Sequence, residues 1–186
     1  MLSNTATFRK FKFDGKGFRR EYSEQLYQLF IDACQAWVEA VLTAVNGSFP
    51  VWTGMAKASL VPLAEYLQVE SVEPFSLDLS ISPKPGSEWH QQNGQNIAAG
   101  LAANKFKITR LVTPSNNGPL PSGFNFYYTN LVPHYEINES NAVPTVPSSP
   151  WYTFSAGQAA FEEYIRDNYD RYVPVMTDYF SLGSKE

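Results

Sequence analysis

Ser23-Glu-Gln-Leu-Tyr-Gln-Leu-Phe-Ile-Asp-Ala-Cys-Gln-Ala-Trp-Val-Glu-Ala-Val-Leu-Thr-Ala-Val-Asn46 is the stretch whose reading decides the fold. Leu26, Leu29, Phe30, Ala33, Trp37, Ala40, Val41, Ala44 and Val45 recur at helical spacing, so one side of a long helix is apolar. No proline or glycine interrupts it from Phe18 to Asn46. Ser23 reads as the N-cap with Glu24 in the first turn, and Asn46-Gly47 as the stop. A helix of this length, about five or six turns, needs a broad apolar partner. The rest of the chain must supply it.

Downstream, Thr53 reads as the cap of a second helix from Met55 to about Gln68, which Pro62 bends or divides near Val61. Phe75, Leu77, Leu79 and Ile81 alternate with polar residues in a half-buried strand pattern. Phe106–Val112 and Phe124–Val132 read as two more strands joined by the turn-rich Thr113–Gly123. Between Ser82 and Asn104 lies a polar connection that reads as a loop insertion. Seven of the 13 prolines fall between Pro114 and Pro150. A last helix follows, with Phe161, Tyr164, Ile165, Tyr169, Tyr172 and Val173 in phase; Ser155 and Gln158 form a capping box, and Pro174 kinks or splits the helix. The expected architecture is a single α+β domain. An antiparallel sheet of about four strands is packed by the long N-terminal helix and flanked by a C-terminal one.

The 186 residues suit one domain. Apolar residues are 44% and charged residues 17%, with 13 Phe, 11 Tyr and 4 Trp. Many large rings with few charges suit a chain that buries surface against partners, since interface centres are aromatic and charge-poor. Net charge is −4, unevenly placed: residues 1–20 hold Arg9, Lys10, Lys12, Lys16, Arg19 and Arg20 against Asp14 alone, a net +5 that leaves −9 for residues 21–186. An acidic body repels phosphate, so bulk nucleic-acid binding is disfavoured. The basic segment also carries Phe8, Phe11, Phe13 and Phe18; Thr7–Phe18 reads as a short strand meeting the tight-turn pair Asp14-Gly15, within an N-terminal arm of residues 1–20 attached to a domain of residues 21–186. Basic residues interleaved with aromatics serve either single-stranded nucleic acid or a neighbouring subunit's sheet edge; the acidic body favours the protein partner. No apolar run is long enough to cross a membrane, and no apolar stretch follows the basic N-terminus as in a secretory signal. Synthesis in the cytosol is the expectation.

Signals for chemistry are sparse. The lone cysteine, Cys34, sits on the helix's apolar stripe, where a thiol is inert. The two histidines, His90 and His134, are far apart in sequence. Glu162/Glu163 and Glu136/Glu139 are carboxylate pairs, the first on the expected solvent side of the last helix. No phosphate-cradling glycine motif and no metal-ligand spacing occurs, so the expectation is no enzyme, no cofactor and no metal.

Two patches resemble the tail-completion or neck proteins of tailed bacteriophages, which join head to tail. The first is Pro50–Leu60 (PVWTGMAKASL), where a long helix runs into a proline, a Thr-Gly pair, a basic residue and a serine: Pro50, Thr53, Gly54, Lys57 and Ser59. The family has a leucine two residues after the glycine, and Ala56 stands there. The second is Asn130–Glu139 (NLVPHYEINE), like the family's strand ending in Asn, Tyr and an acidic residue. The resemblance implies a fold-defining, non-catalytic role for Pro50, Thr53, Gly54, Lys57 and Ser59. It implies a structural virion protein: a ring oligomer at the head–tail connector, made in the bacterial cytoplasm and joined to portal-side, neck and tail proteins. DNA would pass through its channel without specific binding, and no membrane would be involved. Phe8, Phe11, Phe13, Phe18, Tyr135 and Trp151 are the residues expected at assembly interfaces. The competing reading is a phage-encoded carbohydrate-binding module that stacks sugar rings on exposed Trp52, Trp89 and Trp151.

Overall fold

The computed structural model describes residues 11–43, 55–69, 94–113, 120–132 and 153–182, and the account below concerns these residues. In chain order they form β1 (Phe11–Phe13), α1 (Gly15–Thr43), α2 (Met55–Ala58), α3 (Val61–Tyr66), α4 (Gly94–Ala102), β2 (Asn104–Thr113), β3 (Leu120–Asn130) and α5 (Thr153–Asn168). Two 3-10 turns, Tyr169–Tyr172 and Met176–Tyr179, lead into β4 (Phe180–Leu182). The mixed α+β class and the two long helices agree with the sequence pattern.

The long helix begins eight residues before the expected cap. Asp14 rather than Ser23 starts it: its carboxylate Oδ1 accepts the Gly17 amide at 3.0 Å, satisfying one of the amides that a helix N-terminus leaves open. Asp14-Gly15 is therefore a helix start, not the tight turn its letters suggest, and Ser23 is buried within the helix. The boundary drawn at residue 20 falls inside α1, and Phe18 belongs to the helix. Leu29, Phe30, Ala33, Cys34, Val38 and Val41 form the buried stripe, while Trp37 is half-buried beside it.

Two clusters make the core. Phe30, Cys34 and Val38 meet Leu63 and Leu67 of the α3 region, and Val41 meets Leu60 and Val132. The expected second helix is split into α2 and α3 by Ser59-Leu60, and Pro62 sits in the first turn of α3, where its missing amide costs nothing. α3 closes on Gln68, in the left-handed conformation (φ 54°), with the Val69 amide bonded back to the Ala64 carbonyl at 3.0 Å. Gln35 Nε2 of α1 donates to the Leu67 carbonyl at 2.6 Å, so the long helix supplies part of that cap.

The strands do not join into one four-stranded sheet. β2 and β3 form an antiparallel hairpin, and β1 pairs antiparallel with β4 in a separate two-stranded ribbon. Alternation along β2–β3 is as the sequence predicts: Phe106, Ile108, Phe124, Phe126 and Tyr128 turn inward, while Lys105, Lys107 and Tyr127 are exposed. A bulge leaves Ser122 unmatched, since Leu111 faces Gly123 and Val112 faces Pro121. The strand expected at Phe75–Ile81 lies outside the described residues, as does most of the 82–104 insertion. Its last third is helical, and Gly100 of α4 allows that helix to approach Met55 and Ala58 of α2 closely.

α5 lies along α1. Its start at Thr153 puts Ser155 inside the helix, so the expected capping box does not form; Gln158 instead donates to Glu162 at 2.9 Å. The helix ends at Asn168, six residues before Pro174, and the chain continues through the two 3-10 turns. Met176, Tyr179 and Phe180, which fit the helical period by sequence, are in the second turn and β4.

Candidate assembly surface

The terminal ribbon is positioned by α1. The β1 register pairs Phe11 with Leu182 and Phe13 with Phe180, and the Asp14 amide donates to the Tyr179 carbonyl at 2.8 Å. Aromatic rings join the ribbon to the helix: Phe13 lies 5.0 Å from Phe180 and 6.0 Å from Phe18, centroid to centroid, and Phe18 meets Tyr179 edge-on at 5.2 Å. Such contacts are worth about 0.5–1.5 kcal/mol each beyond their area.

Tyrosine hydroxyls fasten the rest of the C-terminal segment. Tyr172 donates to Asp32 Oδ2 at 2.5 Å, Tyr179 donates to Glu21, and the Tyr22 and Tyr169 hydroxyls are 2.7 Å apart. The hydrogen bond to Asp32 holds the Tyr172 hydroxyl above the ordinary tyrosine range. Glu21 does the same for Tyr179, pushed up to about 12. Both remain protonated donors at neutral pH, and the segment 169–182 is strapped along α1 from its start as far as Asp32.

Little of this strap is buried. Phe11 is 68% exposed, Val175 61% and Met176 55%, and Phe13 and Phe180 are also exposed. A two-stranded ribbon is marginal in water by itself, and exposed apolar residues gathered at one end of a molecule mark a contact site. Lys12, Lys16 and Arg20 are exposed at the same end.

On the opposite half of α1, the helix, α5 and the inner face of β3 enclose a wide-mouthed cavity of about 470 Å³. Its wall is aromatic: Trp37 stands 5.2 Å from Phe126, 5.5 Å from Tyr128 and 5.6 Å from Phe154, and Phe30 stands 5.7 Å from Phe161. α1 and α5 approach closely here because position 157 is glycine: a Cβ there would stand 2.7 Å from both Trp37 Nε1 and Val41 Cγ2.

Of the residues expected in the fold-defining motif, Ser59 is fully buried. Its Oγ accepts Asn130 Nδ2 at 2.7 Å, and its carbonyl accepts the Tyr128 hydroxyl at 3.1 Å. The two sequence patches thus meet at a hydrogen bond across 71 positions. Lys57 lies in α2, and Pro50, Thr53 and Gly54 lie outside the described residues. Of the expected interface residues, Phe11 and Phe13 are exposed on the ribbon and Phe18 is half-buried in α1; Phe8, Tyr135 and Trp151 lie outside the described residues. Trp52, Trp89, His90, His134, Glu136 and Glu139 also lie outside them. Glu162 and Glu163 are exposed on α5. Cys34 is fully buried, which pushes its thiol up to about 12. Among the described residues no group of three or more His, Cys, Asp or Glu could hold a metal ion, and no helix is long and apolar enough to cross a membrane.

Sequence reasoning missed Val175, Met176 and Phe180 as surface residues and missed the cavity altogether. The available signal was Pro174: apolar residues beyond a helix-breaking proline need not continue the helix's buried stripe.

The fold and surface define a class: an α+β protein in which a central helix carries an aromatic hairpin, a second helix and an apolar terminal ribbon. No family model, curated protein or solved structure matches the chain.

Proposed function

We propose that this chain is a structural virion protein, a ring-forming neck or tail-completion subunit at the head–tail junction of a tailed bacteriophage. The observation that carries the reading is the exposed apolar ribbon of Phe11, Phe13 and Phe180 with neighbouring Val175 and Met176. It is a surface suited to a neighbouring subunit and unsuited to water. The bond from Asn130 to Ser59 supports the same reading, because it ties together the two patches on which the phage resemblance rests. A net −9 over residues 21–186 suits a channel wall past which DNA slides without sticking. Nothing in this role calls for a reaction or a cofactor; its partners are further copies of the chain and the portal-side and tail proteins.

The test is genetic and physical together. In the phage that encodes it, silencing the gene should leave filled heads and finished tails that fail to join. The purified chain should form a closed ring by native mass spectrometry, alone or beside its neck partners. Infectious, fully tailed particles produced at normal yield without the protein would refute the reading. A small species that binds glycans through its tryptophans would replace it with the carbohydrate-binding alternative.

A further inference from the structure

The start of α1 is covered by the chain's own far end. Beyond the turn Tyr169–Tyr172, Val173 and Val175 have extended backbone (ψ 118° and 110°) on either side of Pro174. Residues 176–182 then fold back onto β1 and α1. The β1–β4 pairing, the Asp14 amide on the Tyr179 carbonyl and the Tyr179 hydroxyl on Glu21 hold them there. Ring contacts of Phe13 with Phe180 and of Phe18 with Tyr179 complete the fit.

This segment is separable from the rest of the domain. No side chain from Met176 to Ser181 is buried, and the two core clusters draw on nothing beyond Phe161. Tyr172 stays with the body, its hydroxyl bonded to Asp32 and 3.3 Å from that of Tyr164. Pro174 is buried and fixes the base of the hinge, which leaves Val175 as the pivot. Closing the segment on its own chain leaves Val173, Val175 and Met176 facing water. Charges of both signs border the contact: Lys12, Lys16 and Arg20 with Asp14, Glu21 and Asp178. Its fit therefore lies in the strand pairing and the rings, and is the same whichever copy supplies the segment.

We propose that residues 176–182 are exchanged between copies: in the assembled ring each copy's segment swings at Val175 and packs on β1 and α1 of the next copy. Exchange of an identical element is a low-cost route to association, because the contacts given up are the contacts regained. Donor and acceptor are different surfaces, so the contact is head-to-tail and repeats around an axis. The pivot has a short reach, so the next copy's α1 start must abut it, which covers the apolar side chains at the hinge. This inference rests on the ring reading above and names the contact that builds the ring.

Disulfide trapping in the full-length chain tests it. Lys12 and Ser181 are exposed and face each other across the ribbon. Residues so opposed stand about 4.5–5.5 Å apart, within the span of a disulfide. Cys34 is buried, and free thiols are alkylated as the protein is denatured. Lys12→Cys with Ser181→Cys, oxidised as a dilute monomer, locks the segment on its own chain and should form no ring by native mass spectrometry until reductant is added. Oxidised after assembly, the same variant should run on a non-reducing denaturing gel as covalent multimers up to the size of the ring. Lys12→Cys and Ser181→Cys carried on separate chains, mixed and assembled before oxidation, should give a mixed dimer in excess of either like pair; this arm decides the matter if the double variant fails to fold by circular dichroism. If wild type forms rings but the oxidised ring yields only intrachain disulfides, exchange is overturned while the ring reading stands. The same holds if the locked monomer assembles as wild type does, or if the mixed chains give no excess of mixed dimer. If wild type remains monomeric at every concentration and beside its neck partners, both fall.

Discussion

Substituting Gly157 with alanine sets two effects of opposite sign against each other. Glycine in a helix interior costs about 0.5–1 kcal/mol relative to alanine, so on propensity alone Gly157→Ala should stabilise α5. The new methyl, however, would stand 2.7 Å from Trp37 Nε1, 2.7 Å from Val41 Cγ2 and 2.9 Å from Trp37 Cδ1. Neither neighbour can move aside cheaply. Val41 is fully buried in α1, where a β-branched side chain has essentially one rotamer, and the Trp37 indole is held among Phe126, Tyr128 and Phe154. The helices must separate by several tenths of an ångström along a tight contact, and overpacking of this kind costs about 1–3 kcal/mol. The clash wins, with a net loss of about 1–2 kcal/mol. For a chain of this size the melting temperature should fall by about 2–8 °C. Scanning calorimetry measures it, with Ala159→Gly at an exposed position of α5 as the propensity control, expected to lose about 1 kcal/mol without any clash. Combining Gly157→Ala with Trp37→Phe should cost at least about 0.5 kcal/mol less than the two changes summed, because the indole nitrogen is gone. A Gly157→Ala protein that melts at or above the wild-type temperature would refute the close approach of α1 and α5.

Ser59→Ala removes the acceptor of the Asn130 amide between α2 and the end of β3 and should destabilise by about 1–3 kcal/mol in urea unfolding; Ser59→Thr, which keeps an oxygen there, tests whether the hydrogen bond or the space decides. Trp37→Ala should cost about 3 kcal/mol, the low end for a large ring because the indole is half-buried, and a variant unfolding within a few tenths of a kcal/mol of wild type would remove Trp37 from the core. Cys34 should resist a thiol reagent in the native protein and react once unfolded. Because burial raises its pKa to about 12 while an unfolded thiol titrates near ~8.5, the native state favours the neutral form. That contribution is complete below about pH 8.5 and is lost as the pH climbs toward 12; Cys34→Ala should flatten this part of the stability–pH curve.

Much of the local structure was legible because it rests on short-range periodicity. The 3.6-residue repeat through Leu29, Phe30, Ala33 and Val41 specified α1 and its buried side. The two-residue alternation of Phe106/Ile108 and Phe124/Phe126 specified the hairpin and which face it turns inward. Composition likewise showed a chain rich in rings and poor in charge, with its basic residues gathered at one end. The helix start was misread because Asp14-Gly15 serves a tight turn and an N-cap equally well, and only the backbone that follows distinguishes them. What the tertiary structure decided depends on residues far apart in the chain. Phe13 faces Phe180, Asn130 reaches Ser59, and Tyr172 reaches Asp32. A strand of three residues such as β4 has too few positions to show a period, so only its partner defines it. Gly157 carries no local signal either: its meaning comes from Trp37 and Val41 on another helix. Periodicity records which face a segment buries, but which surfaces then meet is settled by the shape and volume of side chains brought together from the whole chain. That is why, among the described residues, β1 finds its partner in β4 and forms a ribbon apart from the core hairpin, and why the aromatic cavity had no trace in the letters.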